Sequence, residues 1–217
     1  MRRLVATLAF LLLLVSMAFA NEATSNDVIP SDDTPISRDI DTLLLSSHKK
    51  VVGVFLEAPL SFVDNETVRK LVPDKASEIF ADSKFKLLPF DETASALRTY
   101  QEDHRMIINE YFSTPLNRDD IQAIGKELGL DYALFIKITN SAPRAKYILF
   151  TMTFKTTVTC DTRLLDIETS KYVVSKQIVK DGSTTMLAVL GAPDFNDAYN
   201  DALKKALADL KIDTSKL

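Results

Sequence analysis

The stretch Asn117–Ile138, NRDDIQAIGKELGLDYALFIKI, holds a helix start, a helix stop and a buried strand in one line. Asn117 is a good N-cap, because its side-chain oxygen can accept from the unpaired amides of the first turn. Asp120, three residues on, puts negative charge where the helix dipole favours it. Leu116 and Ile121 occupy the two positions of a hydrophobic staple. Ile121, Ile124 and Leu128 form one apolar stripe at helical spacing. Gly129 supplies the left-handed residue that ends such a helix. Tyr132–Ile138 follows as a nearly all-apolar run, the pattern of a strand buried on both faces.

The same signals extend outward. Val51–Leu56 is a continuous apolar run and reads as another doubly buried strand. Asp64 can cap a helix with Val68, Leu71, Ala76, Ile79 and Phe80 turned inward, which Pro73 should kink or split. Phe85–Phe90 reads as a short strand and residues 92–112 as a helix. Residues 147–161 alternate over an unusual length. Ile148, Phe150, Met152, Phe154, Val158 and Cys160 share one face, with Thr and Lys on the other, so one long strand with a wet face is expected. Arg163–Ile167 continues or restarts it. Residues 168–171 turn the chain, and Tyr172–Val179 returns as a hairpin partner. Asp181-Gly182-Ser183 reads as a further turn, and about 195–211 as the last helix. Strands alternate with helices early and pair as hairpins late. The expected fold is α/β (α+β), with a mixed sheet of about five strands, helices packed against it, C-terminal antiparallel hairpins and a final helix.

The N-terminus reads as an address. Arg2 and Arg3 precede the apolar run 4–15, and Ala18-Phe19-Ala20 fits a small-x-small cleavage rule, so residues 1–20 are expected to be a secretory signal peptide. Residues 21–48 are polar, contain proline and lack periodicity, and are expected to be a flexible leader. Residues 49–217 form the expected single globular domain. No Cys stands near the cleavage site, so no lipid anchor is expected, and no later run is long enough for a membrane-spanning helix. A periplasmic or secreted protein follows.

Composition narrows the chemistry. The 217 residues carry a net charge of −4, with 5 Gly, 2 His, 1 Cys and no Trp. The acidic balance argues against nucleic acid. One Cys excludes an internal disulfide, and two distant histidines, His48 and His104, offer no metal-ligand spacing. Neither phosphate-cradling glycine motif nor a GxSxG nucleophile motif occurs. No cofactor, metal or catalytic residue is expected. Carboxylates are plentiful, and a pair across a cleft could still support a small hydrolase.

Three segments carry a family resemblance. They are IQAIGKELGLDYALFIKI at 121–138, RLLDIETSKYVVSKQI at 163–178, and the Ala/Leu-rich last helix. Together they resemble a group of bacterial envelope domains that includes the amino-terminal domain of TolB, the curli secretion protein CsgG and the penicillin-binding-protein activator LpoB. Ser170 stands where that group usually has Gly. CsgG-like and LpoB-like proteins are lipoproteins, whereas this chain has no lipidation Cys. The Thr and Lys of the wet strand face are wrong for a wall exposed to lipid, so a secretion pore is not expected. The resemblance implies a periplasmic recognition or adaptor domain without catalysis.

The expected partners are envelope proteins or a second copy of the chain. The candidate contact residues are Met186, Leu187, Val189 and Leu190, in a segment too apolar for a plain surface loop, with the threonines Thr151, Thr153 and Thr157. Cys160, on the apolar strand face, is expected to be a buried, inert thiol.

Overall fold

The computed structural model describes residues 49–217, apart from 64, 110, 111 and 188–193. The readings of residues 1–48 and of Val189 and Leu190 therefore lie outside the described residues, as does the Asp64 cap.

The architecture is mixed α+β. Strand β1 (Lys50–Glu57) is flanked on both sides by parallel partners, β2 (Phe85–Leu87) and β3 (Tyr132–Asn140). Its alternate residues enter two different cores, as a strand buried on both faces must. Val52, Val54 and Leu56 face one layer and Phe55 the other. The first layer is closed by α2 (Glu66–Ile79) and α5 (Phe195–Asp209), and the second by α3 (Phe90–Asp103) and α4 (Arg118–Glu127). A single-turn helix α1 (Leu60–Val63) follows β1.

Helix α4 forms as its sequence dictates. Asn117 Oδ1 accepts from the Asp120 amide at 2.9 Å, while Asp120 Oδ2 accepts from the Asn117 amide at 2.8 Å, a full capping box. At the other end Gly129 has φ +64°. The Leu130 amide reaches Gly125 O at 2.9 Å, and the Gly129 amide reaches Lys126 O at 3.2 Å. These two bonds are the Schellman pair, which satisfies the last carbonyls.

Four expectations need correction. Helix α2 is capped by Asn65 and stays one continuous helix through Pro73, so of the kink or split expected there the split does not occur. The carbonyl that Pro73 leaves without a backbone donor belongs to Arg69, on the exposed side of the helix. Helix α3 stops at Asp103 rather than 112, and an irregular segment with an Ile108–Ser113 bridge follows. The long strand 147–161 is two strands, β4 (Arg144–Ile148) and β5 (Thr151–Asp166), joined by the two residues Leu149 and Phe150.

The fourth correction concerns residues 181–183, which are no turn. Strand β6 (Lys171–Leu187) passes straight through them and pairs with the whole of β5. A Cβ on Gly182 would lie 2.0 Å from Ala198 O and 2.5 Å from the Ala202 amide. Gly182 therefore marks the place where the α5 backbone packs directly on a strand. Among the described residues the sheet has six strands: β2, β1, β3 and β5 are neighbours in that order, β4 shares with β3 one edge of β5, and β6 takes the other. Ser170 has φ +55°, so the β5–β6 turn keeps the left-handed geometry that glycine favours.

Cys160 is fully buried, and burial pushes its thiol up to about 12.

Candidate docking surface

Strands β3 and β4 lie end to end along one edge of β5. Asn140 pairs with Val158, and Arg144 with Lys155. Ser141 secures the step between them: its amide donates to Thr157 O at 2.8 Å, and its Oγ accepts from the Thr157 amide at 3.0 Å. Beyond this step β4, the first third of β5 and the end of β6 continue as a three-stranded arm. Every residue from Ser141 to Phe150 is exposed.

The register decides what the end of the arm presents. Ile148 pairs with Thr151 and Thr151 with Leu187, so these three share one row on one face. Tyr147, Met152 and Met186 form the next row, on the opposite face. Leu149 and Phe150 close the end at 92% and 69% exposure. Nine large hydrophobic residues are exposed among the described residues, and five of them, Tyr147, Ile148, Leu149, Phe150 and Leu187, lie at this one end. A contiguous patch of this kind marks an interaction site, where scattered exposed residues would not.

The backbone carries a second sign. Leu149 has φ +48° at the first position of a two-residue hairpin loop, where glycine is the favoured residue. A left-handed leucine costs roughly 1–2 kcal/mol. Its side chain is almost wholly in water and recovers none of this by packing within the fold.

The threonines on the open face are already engaged. Thr153 Oγ1 and Thr185 Oγ1 are 2.9 Å apart, Thr157 Oγ1 donates to Asp181 at 2.7 Å, and Thr151 Oγ1 donates to Ile148 O at 2.9 Å. Thr151, Thr153, Met186 and Leu187 are brought together on the arm. Thr157 lies nearer the body of the sheet, opposite Asp181. Alternation alone places Tyr147–Phe150 inside a strand. No Gly, Asn or Asp announces the turn, and the one available signal was three consecutive apolar residues, Ile148-Leu149-Phe150, interrupting period two.

A cleft of about 600 Å³ opens at the carboxyl end of β1, between Leu56–Ala58 and α3. Strand order reverses direction at β1, the usual place for a crevice in an α/β sheet. Among the described residues three carboxylates line it, and each has a cationic partner. Glu57 pairs with Lys137 at 2.5 Å and accepts from the Leu116 amide at 3.0 Å. Asp91 pairs with Arg69 at 3.1 Å, and Glu102 with Arg98 at 3.4 Å. His104 stacks on Tyr100 at 3.8 Å. Among the described residues no group of three metal-ligating side chains converges.

No family model and no curated protein matches the chain. Solved structures similar to it include the hypothetical protein CT253 from Chlamydia trachomatis, at 13% identity and TM-score 0.37, covering 74% of this chain and 92% of that one. Lipoprotein GNA1162 from Neisseria meningitidis aligns at 16% identity and TM-score 0.34, covering 74% and 96%. The LpoB C-terminal domain from Escherichia coli aligns at 12% identity and TM-score 0.32, covering 65% and 92%. At such low values function has to be read from this chain's own residues.

Proposed function

We propose that the chain is a non-enzymatic protein of the bacterial envelope, a binding or adaptor domain whose docking element is the end of the β4–β5–β6 arm. The observation that carries this reading is the exposed apolar end itself, with a left-handed leucine at its turn. Residues 1–20, with their basic pair, apolar run and Ala18-Phe19-Ala20, support export to the periplasm or beyond. The hydrolase alternative draws on the β1 cleft. Among the described residues the three carboxylates of that cleft are each engaged by a cation and none stands opposite another as a free pair, which favours the docking reading.

A photo-reactive amino acid at position 149, compared with one at Glu168 in the β5–β6 turn, tests the reading in living bacteria. Docking through the arm gives a discrete adduct, with protein or with lipid, from position 149 and none from 168. Equal or absent labelling at the two positions contradicts it.

A further inference from the structure

The arm is basic as well as apolar. Residues 141–155 and 183–187 contain Arg144, Lys146 and Lys155 and no acidic residue, in a chain whose net charge is −4. Among the described residues none of these three cations has an ionic partner. Arg144 and Lys155 are direct cross-strand partners, a placement in which like charges repel. Exposed apolar side chains, a left-handed leucine and an unneutralised pair of like charges all occur in one short segment. Local rules broken together, with nothing in the fold to offset them, are the mark of a functional site.

The spacing says what the site fits. Arg144, Lys146 and Ile148 alternate along one face of β4, shared with Lys155, Thr151 and Leu187. With a rise of roughly 3.3 Å per residue, Lys146 lies about 7 Å behind Ile148, and Arg144 and Lys155 about 13 Å behind the end row. An apolar tip of that depth with a cationic collar above it matches the interface of an anionic bilayer, where apolar groups sit about 5–10 Å into the headgroup and acyl boundary. Tyr147 adds an aromatic ring of the kind enriched at that level. The apolar segment Tyr147–Met152 is too short to cross, since a spanning strand needs about 9–11 residues. The Thr-rich face behind it would stay in water.

We propose that the occupant of the arm's end is an anionic lipid surface, into which Ile148, Leu149, Phe150 and Leu187 insert while Lys146, Arg144 and Lys155 meet the phosphates. This rests on the reading of the arm as the docking element and names its partner.

Vesicle flotation tests it, with protein purified from the envelope of an expressing bacterium. Variants differ from the parent only in the arm, so any contribution of the N-terminal segment cancels. The parent is expected to partition onto phosphatidylglycerol vesicles far more strongly than onto phosphatidylcholine vesicles, with the preference shrinking as salt rises. Lys146→Gln should weaken partition about five-fold, the share of one surface-bound cation. Leu149→Asp with Phe150→Asp should weaken it more than about 100-fold, with an unchanged circular dichroism melt. Equal partition on neutral and anionic vesicles, or a double variant that floats like the parent, overturns the lipid assignment. If vesicles are not bound but position 149 still cross-links to a protein, or the double variant abolishes a dimer seen with the parent, the lipid surface is wrong and the docking element stands. No vesicle binding together with no adduct at 149 removes both.

Discussion

Gly182 shows how one residue sets the relation of a helix to a sheet. Read as a turn marker between Asp181 and Ser183, it is mid-strand, with α5 seated on its bare Cα. The nearest atoms to an added Cβ are the Ala198 carbonyl and the Ala202 amide, backbone groups that no side-chain rotation can move aside. Ala198 and Ala202 are themselves fully buried small residues, so the contact is close from both sides. Gly182→Ala should therefore destabilise by about 3 kcal/mol, the upper part of the overpacking range. A thermal melt of the variant checks this, and a melting temperature equal to the parent's would mean α5 does not sit on β6 here. A lone glycine between polar residues has two readings, turn or close approach, and the sequence holds nothing that separates them.

At the scale of elements, α4 and the β4–β5 hairpin stand at opposite ends of legibility. Helix α4 carries every punctuation mark: cap, first-turn acid, staple and a closing glycine. The hairpin carries none. Its loop holds Leu149 and Phe150 where a loop of two residues favours glycine, and only the apolar run Ile148-Leu149-Phe150 interrupts the alternation. The reason is physical: local propensity was overruled at the place where the side chains have another use. Leu149→Gly separates the two roles. It removes the left-handed strain and no packing, while adding the chain entropy that glycine loses on folding. The melting temperature should stay level or rise slightly, and partition onto anionic vesicles should fall by about ten-fold or more with loss of the leucine. A fall in stability of about 1 kcal/mol would show that Leu149 packs within the fold and serves structure.

Over the whole molecule, the fold was more legible than the site. Doubly buried strands such as Val51–Leu56 and Tyr132–Ile138 need a sheet with helices on both faces, and the two core layers supply it. Of the contact residues expected from sequence, Thr151, Thr153, Met186 and Leu187 do lie on the arm, because β6 runs alongside β5 to its first residue. The residues that dominate its end were absent from that reading, since exposure is a property of register and of where the helices stop. Charge segregation is likewise a whole-molecule feature. A chain of net charge −4 keeps its arm cationic, and only the pairing of β4 with β5 puts Arg144, Lys146 and Lys155 behind one apolar end.

The chain has no tryptophan, so Leu149→Trp places a single fluorescent reporter at the end of the arm. Its emission, recorded during titration with phosphatidylglycerol vesicles, measures directly whether that end leaves water. The expected result is the emission of an exposed indole in buffer, shifting to the blue with vesicles and quenched by brominated lipid chains. Emission that stays at the exposed wavelength while the protein is bound to the vesicles would contradict insertion of the arm.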